Sequence, residues 1–568
     1  MSRPFLGGKM KKTALSCFIL LLSVALAFGS LTTSASAKEL FTESHYTYSV
    51  SSAGEATIVD VNDNISGNVN IPEELGGYPV TAIGESAFEN CSYMTGVMIP
   101  PSISYIGEYA FAKCTSLTEF VYNATEVLSN NKIFDEGISG SQLTVNLVVG
   151  PLVTTIPERM FMHSRIGNID FTNAGKCTSI GKEAFYDCIY LGSVALPTNL
   201  NTIGDGAFNT CIRLEKVTFN SKLKTIESFA FSGCINLRNP KLPSSLLIIN
   251  PYAFYSCSSI TSINIPDSVL ALGNNAFKDC SAAKHLFIGN GIEDIRASAF
   301  SGCTNLLKVL IPDSVTNIEA SAFENCESLQ TVIFNQKLTT LGHLAFANCK
   351  SLQSIDIPDS VTDLGTATFS GCSSLETVFL GNGVTRIGYG TFSGCASLTS
   401  VLISENVTEI EYQAFSECNE LKKVYINSPE LIKKLKSLDD CEGLFLNVQE
   451  LCIEESCRNK LANSIIAQLS DGGTTSLNGK NYYILRTNAY EGLPELLPKD
   501  EVETVTPPET GGVDNSTQSG NHTVQNGMPS VEYSDGVGCS AAMDSVYAFL
   551  SAMILCAFAL ALCRKKVK

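Results

Sequence analysis

Cysteine is the residue that this sequence offers most freely for chemistry. There are 21 Cys among 568 residues, and many of them stand three residues after a Phe. Thiols that recur at the same distance from a Phe fit three arrangements: small apolar groups packed in a core, disulfides of an exported protein, or metal ligands. The members of this set are Cys91, Cys114, Cys188, Cys211, Cys234, Cys257, Cys280, Cys303, Cys326, Cys349, Cys372, Cys395 and Cys418.

The other groups that could carry catalysis or bind a metal are scattered. The five His lie far apart, and the chain has no G-x-S-x-G, H-E-x-x-H or P-loop lysine. Residues 135–137 and 471–473 lack the alternating ligands of a calcium loop. The pair Cys452 and Cys457 is at most a weak metal signal; core or half-exposed thiols of a cap are the favoured explanation, with one disulfide as an alternative. The sequence therefore predicts a protein that is not an enzyme and holds no metal or cofactor, with a small enzyme inside residues 428–490 as the alternative.

The segments that hold the cysteines repeat with a period of 23 residues. From Phe185 to Phe415 a Phe recurs at every 23rd position, and Phe88, Phe111 and Phe134 form an earlier run with the same step. Longer steps on either side of Phe161 join the two runs. Four Phe up to Phe161 and eleven from Phe185 onward give 15 coils, two of them degenerate. A period of this length is typical of a leucine-rich-repeat solenoid, made mainly of short parallel β-strands with turns and short helical segments.

The pattern within one coil has a simple physical reason. A clear coil, residues 311–334, reads IPDSVTNIEASAFENCESLQTVIF, and its V-x-I end alternates apolar and polar residues as a strand does. Ile318 begins the opposite wall, and the small Ala322 leaves room for the ring of Phe323. Glu319 stands where many coils have Gly, so a left-handed backbone is not obligatory there. We expect the Phe rings of successive coils to stack about 4.8 Å apart, which is the strand spacing.

The repeat closely resembles that of the BspA-like leucine-rich-repeat family. The shared run is I-P-x-S-V-x-x-I-x-x-x-A-F-x-x-C-x-x-L-x-x-V-x-I, and the resemblance covers residues 71–427. Members of that family are typically surface or secreted proteins of bacteria and some protists, and characterised members act in adhesion or in binding host proteins. The resemblance therefore implies a non-enzymatic surface binding protein, and it supplies no catalytic residues.

Stacking of the coils would place the cysteines in a ladder. Neighbouring Cα atoms about 4.8 Å apart permit a disulfide by distance, but parallel Cβ vectors are poor geometry for one, and an odd number leaves one Cys without a partner. A spacing of 23 residues lacks the close ligand pairs of zinc sites. Packed core thiols are therefore favoured, with disulfides and metal binding as the alternatives.

A binding surface is predicted on the strand of each coil. The middle residue of V-x-I points away from the core, and this column includes Val121, Thr144 and Asp170 early in the array and Asp356 later. In the second half most members are large and apolar, beside a polar column two residues earlier, which is typical of a partner site. Ordinary β-propensity is the alternative explanation. The candidate stripe is Phe287, Leu310, Ile333, Phe379, Leu402 and Tyr425.

The two ends of the chain predict export and anchoring. Residues 1–37 have the basic start, apolar stretch and A-x-A ending of a signal peptide. We expect an N-terminal cap at 38–70, the repeats at 71–427, and a C-terminal cap or small module at 428–490. Residues 491–537 are too polar to fold and predict a tether. Residues 538–563 predict a membrane-spanning or sorting segment, and 564–568 a basic cytoplasmic tail.

Charge and topology limit the partners. The formal net charge of -18 argues against nucleic acid. An exported body on a single-pass anchor predicts extracellular or host proteins as partners, with glycans as a further class and the membrane contacted through the C-terminal segment. A soluble secreted product is the alternative localisation. The alternative function is a structural spacer or envelope component without a specific ligand.

Overall fold

The computed structural model describes residues 39–127, 132–134, 143–434, 450–453, 474–477 and 480–483. All of them lie within one compact unit, Met1–Leu493. The expected signal peptide, tether, membrane or sorting segment and cytoplasmic tail lie outside the described residues. Among the residues that are described, no helix is long and apolar enough to cross a membrane.

The described residues contain thirty-six strands and one helix, and most strands have two to five residues. The first twelve are β1 (Leu40–Glu43), β2 (Tyr46–Val50), β3 (Ala56–Val61), β4 (Ser66–Asn70), β5 (Glu74–Leu75), β6 (Tyr78–Ile83), β7 (Tyr93–Ile99), β8 (Tyr105–Ile106), β9 (Glu119–Tyr122), β10 (Val145–Val149), β11 (Thr155–Ile156) and β12 (Ile166–Asp170). The next twelve are β13 (Ser179–Ile180), β14 (Ser193–Ala195), β15 (Thr202–Ile203), β16 (Lys216–Thr218), β17 (Thr225–Ile226), β18 (Ile248–Ile249), β19 (Ser262–Asn264), β20 (Ala271–Leu272), β21 (His285–Phe287), β22 (Asp294–Ile295), β23 (Lys308–Leu310) and β24 (Asn317–Ile318). The last are β25 (Thr331–Ile333), β26 (Thr340–Leu341), β27 (Ser354–Asp356), β28 (Asp363–Leu364), β29 (Thr377–Phe379), β30 (Arg386–Ile387), β31 (Ser400–Ile403), β32 (Glu409–Ile410), β33 (Lys423–Ile426), α1 (Pro429–Lys434), β34 (Glu450–Ile453), β35 (Thr474–Leu477) and β36 (Lys480–Tyr483).

The strands form a parallel solenoid of about 16 turns that are about 23 residues apart. This confirms the predicted leucine-rich-repeat fold. Most coils contribute one strand to a front wall, built from the V-x-I segments, and one two-residue strand to a side wall. Val309 on the front wall lies opposite Val332 of the next coil, and Ile318 on the side wall lies opposite Leu341, so both walls advance by one repeat per rung.

The front wall is divided into four hydrogen-bonded runs: β4 to β12, β14 to β16, β19 to β25, and β27 to β34. One division has a clear cause in the sequence. Pro240 occupies the position of the inward Val, and a proline has no N–H to donate to a strand partner. The side chain of Asn239 bridges the division, because its Oδ1 accepts hydrogen bonds from the backbone N–H groups of Thr261 and Ser262 at 2.9 and 3.0 Å.

A third side of the coil carries Phe and Cys, and we call it the Phe wall. Here the N–H of Phe323 donates to the carbonyl of Ala345 in the next coil at 2.8 Å. The N–H groups of Ser321 and Asn325 donate in the same way to the carbonyls of His343 and Ala347. Ser321 and Asn325 have φ of 57° and 60°, and most coils repeat these two left-handed residues on either side of the Phe. Small, polar and Gly residues tolerate that conformation best.

Gly at the position after the inward Ile has a different role. Among the described coils, none of these Gly residues has a positive φ, so the expectation that a left-handed backbone is not required there is confirmed. A Cβ at Gly342 would lie 2.6 Å from the backbone carbon of Glu319 in the preceding coil. The absence of a side chain therefore serves close contact between coils at this position.

The Phe rings fill the interior as a continuous stack. From Phe161 to Phe415, neighbouring centroids are 5.0 to 5.9 Å apart and the rings lie within 15° of parallel. The expected separation of 4.8 Å is too short because parallel rings prefer a sideways offset, which lengthens the distance between centroids. Phe134 departs from the stack, at 6.3 Å and 44° from Phe111, where the edge of Phe120 inserts.

Both ends of the described array differ from its middle. At the N-terminal end, β1, β2 and β3 are antiparallel, and β3 then pairs in parallel with β6. At the other end, β34 adds a parallel rung to β33, with Val424 opposite Leu451. The helix α1 begins at Pro429, directly after β33, and β36 pairs with β34 and with β35.

Candidate partner-binding face

The outward side of the front wall is the surface that the sequence singled out. In a typical strand the central residue is buried and its two neighbours are not, as in β23, where Val309 is inaccessible and Leu310 is 53% exposed. The remaining members of the candidate stripe are half-buried and face outward in the same way: Phe287, Ile333, Phe379, Leu402 and Tyr425.

Strand register brings the stripe together in two groups. Leu310 lies opposite Ile333 in one run, while Phe379, Leu402 and Tyr425 lie opposite one another in the next. Phe287 lies opposite Asn264 of the preceding coil. Asp356 lies opposite Phe379 at the start of the second run. The surface therefore consists of two apolar groups separated by a carboxylate.

One assignment in the outward column is wrong. The four-residue insertion after Phe134 lies before β10, so that Val148 lies opposite both Val121 and Asp170. Thr144 precedes the strand and is not the outward residue of that coil. A fixed count from the Phe cannot locate an insertion, whereas the apolar alternation of Val145, Leu147 and Val149 indicates the true strand.

A third outward column escaped the sequence analysis. It is the residue directly before each front-wall strand, and it includes Lys284 and Leu307, of which Leu307 is 40% exposed. The N–H of Leu307 donates to the carbonyl of Lys284 at 3.3 Å, so that the two residues are neighbours on adjacent coils. Their position after the inward Leu of the repeat would have identified this column.

The cysteines do not form a chemical site in the described part of the chain. The 13 ladder cysteines are buried free thiols, and so is Cys177, which lies outside the ladder. Burial raises the pKa of the Cys177 thiol to about 11 and that of the Cys303 thiol to about 12. A thiol with so high a pKa is protonated at neutral pH, and the protonated form is neither a nucleophile nor a metal ligand.

The histidines are held in separate local contacts. His163 Nδ1 lies 2.9 Å from the carboxylate of Asp187 on the Phe wall, and His343 Nδ1 accepts the N–H of Thr366 at 2.9 Å. His285 is exposed on the front wall opposite Lys308. No group of three or more His, Cys, Asp or Glu suited to a metal ion occurs within the described ranges.

The repeats are similar to a known family. Residues 64–176, 154–284 and 293–422 match the profile of the BspA type leucine rich repeat region, in six copies. These segments cover more than half of the chain. No curated protein matches the sequence at a significant level.

Several solved structures are similar to the chain. A leucine-rich repeat protein from Bacteroides ovatus has 26% identity and a TM-score of 0.47, and the match covers 68% of this chain and 94% of that one. A leucine rich cell surface protein from Faecalibacterium prausnitzii has 23% identity, a TM-score of 0.32 and coverages of 75% and 98%. The pneumococcal vaccine antigen PcpA has 16% identity, a TM-score of 0.32 and coverages of 79% and 99%.

Proposed function

Because the chain belongs to the BspA-type leucine-rich-repeat family, we propose that it is a non-enzymatic cell-surface protein whose front wall binds an extracellular protein partner. The observation that carries this proposal is the pair of apolar groups on the front wall. Leu310, with more than half of its side chain exposed, lies opposite Ile333 on a surface that the fold itself does not bury. Apolar and aromatic side chains bordered by polar ones are typical anchors of protein interfaces.

The front wall also has the rigidity that an interface needs. Each outward side chain stands on a short strand whose inward neighbour is fixed in the core, as Val378 is beneath Phe379. A partner that docks there immobilises few additional backbone groups, which keeps the entropic cost of binding low.

The proposed localisation rests on the two ends of the sequence. A signal peptide at 1–37 and a membrane or sorting segment at 538–563 would leave the repeats outside the cell on a single-pass anchor. Labelling of intact cells with an impermeant lysine reagent tests this. Reaction of solenoid lysines on intact cells supports the proposal. Reaction after lysis alone contradicts it, and release of the labelled chain into the medium favours the secreted alternative.

The binding proposal is tested by removing the apolar groups. In the full chain displayed on cells, we change Phe287→Ser, Leu310→Ser and Phe379→Ser together and measure adhesion to immobilised extracellular proteins and glycans. The matched control is Leu270→Ser, Leu344→Ser and Tyr412→Ser, which removes three apolar side chains with exposures of 65%, 38% and 65% from outside the front wall.

We expect the front-wall variant to lose adhesion and the control variant to keep it. Equal adhesion of the parent and both variants would show that the stripe is not the site. A parent chain that adheres to nothing above an unrelated solenoid would favour a structural spacer.

A further inference from the structure

The front wall carries a concentration of positive charge that contrasts with the rest of the protein. Over five consecutive coils, its three outward columns contain five cations and a single carboxylate, Glu215, whereas the whole chain has a formal net charge of -18. We call the cations the basic patch: Lys216, Arg238, Lys241, Lys284 and Lys308. All five are exposed.

The cations of the basic patch contribute little to the stability of the fold through ion pairs. Within the described residues, no ion pair reaches Lys216, Lys241, Lys284 or Lys308. Arg238 lies 3.8 Å from Glu215, and both side chains are mostly exposed, so this pair contributes little. Several surface cations outside the patch pair with carboxylates of neighbouring coils, as Arg296 does with Glu319 at 2.6 Å and Lys350 with Glu327 at 2.7 Å. Clustered, unpaired cations on an otherwise acidic protein create a local positive potential that attracts anionic groups.

The basic patch is continuous with the first apolar group of the stripe. Lys284 and Leu307 are backbone neighbours on adjacent coils, at 3.3 Å. Lys308 and Leu310 project from the same side of β23, because residues two apart on a strand share a face. Charged and apolar side chains therefore lie side by side on one surface.

The division of the wall at Pro240 does not separate the cations. The Asn239 side chain accepts the N–H of Thr261 at 2.9 Å and that of Ser262 at 3.0 Å in the following coil, and the N–H of Arg238 donates to the carbonyl of Glu215 in the preceding coil at 3.0 Å, so hydrogen bonds continue across this coil. Lys241 thus lies on the same surface as Lys284. From Lys216 to Lys308 the patch crosses four coil steps, or about 19 Å at the strand spacing, which an extended segment of about six residues would span.

We propose that the basic patch and the adjoining residues Leu307, Leu310 and Ile333 bind an acidic polypeptide segment that also carries apolar side chains. This deepens the proposed function and rests on it. Carboxylates of the segment would pair with the lysines while its apolar side chains cover the exposed leucines. A sulfated glycan would satisfy the cations but leave Leu310 in water, and the net charge of the chain disfavours nucleic acid.

The test uses the full chain in detergent and fluorescent peptides of one length. The probe alternates Glu with Leu and Phe; its comparison probes are a poly-Glu peptide, a peptide with Lys in place of Glu, and a heparin oligosaccharide. The variant is Lys241→Glu, Lys284→Glu and Lys308→Glu. The matched control is Lys222→Glu, Lys224→Glu and Lys337→Glu, which makes the same change in net charge at exposed positions off the front wall.

We expect the Glu-Leu-Phe peptide to bind best, and its affinity to fall at high salt. The front-wall variant should lower that affinity at least about tenfold, because attraction between a peptide carboxylate and a lysine becomes repulsion between two carboxylates. The control variant should keep the parent affinity, and thermal unfolding verifies that both variants fold. Failure of the parent to bind that peptide, tighter binding of poly-Glu or heparin, or an affinity unchanged by charge reversal would overturn the proposal. If charge reversal has no effect on adhesion while the Phe287, Leu310 and Phe379 serine variant abolishes it, this inference fails and the proposed function stands.

Discussion

The Cys326 thiol donates a hydrogen bond to the carbonyl oxygen of Phe300, 3.4 Å away in the preceding coil. The same bond, at 3.1 to 3.5 Å, recurs for the twelve ladder cysteines from Cys114 onward. The Phe carbonyl also accepts the N–H of the Cys in its own coil, at 3.3 Å for Phe300 and Cys303. Each thiol therefore joins two coils and satisfies a buried acceptor, which gives the Phe-x-x-Cys pair a structural role.

The ladder thiols are expected to be unreactive in the folded protein. Burial raises the pKa of the Cys188 and Cys303 thiols to about 12, so almost no thiolate is present at pH 8. Labelling with an aromatic disulfide reagent, followed by peptide mapping, should leave the 13 ladder cysteines and Cys177 unmodified until denaturant is added. Rapid labelling, or disulfide-linked repeat peptides under non-reducing conditions, would contradict this.

Loss of one ring from the Phe stack should be costly. Phe323 packs between Phe300 at 5.3 Å and Phe346 at 5.1 Å and is fully buried. We expect Phe323→Ala to lower the free energy of unfolding by about 3–5 kcal/mol, measured by urea denaturation followed by circular dichroism. Phe379→Ala, on the surface, should lower it by less than about 1 kcal/mol. Similar losses for the two variants would show that the stack does not carry the stability of the coil.

Relief of a left-handed residue should stabilise the Phe wall. Ser256 has φ of 56°, a conformation that costs a residue with a Cβ about 1–2 kcal/mol. Ser256→Gly is expected to raise the free energy of unfolding by about 0.5 kcal/mol after the entropic cost of Gly, and Ser256→Val to lower it by about 1–2 kcal/mol. In contrast, Ser281→Gly, outside the left-handed positions, should be destabilising. A stabilising Ser281→Gly would indicate that φ is not the cause.

The stability of the solenoid should depend on the protonation of Asp205. Burial raises the pKa of this carboxyl, with nearby Glu183 and Glu158 adding to the effect and Lys182 opposing it. A raised folded-state pKa favours the protonated form, so this group contributes stability below its unfolded pKa that is lost as pH rises through its folded pKa.

We therefore expect Asp205→Asn to be more stable than the parent at pH 7, by less than about 1 kcal/mol because the group is half exposed. The difference should disappear near pH 4, close to the ordinary pKa of Asp. Thermal unfolding of both chains across this range measures it. A difference that is constant with pH would mean that the carboxyl does not titrate between these values.

The sequence by itself determined the solenoid, its period and the core. A 23-residue recurrence of Phe, Cys and V-x-I over 15 coils admits few structures, because one coil cannot bury its apolar residues and stacked coils can. The same pattern predicted which residues of each strand face outward, and Leu310 and Phe379 are found on that side.

Tertiary structure decided what depends on contacts between coils. Periodicity places Cys326 beside Phe323 in the chain, but its hydrogen bond to Phe300 arises from the pitch of the stack. The left-handed backbone at Ser321 and Asn325 is set by the bonds that these residues make to the next coil. The position of Val148, instead of Thr144, follows from strand register after an insertion. Lys241, Lys284 and Leu307 also share one surface only in the folded chain. They are as much as 66 positions apart in the sequence, and the stacking of the coils brings them together.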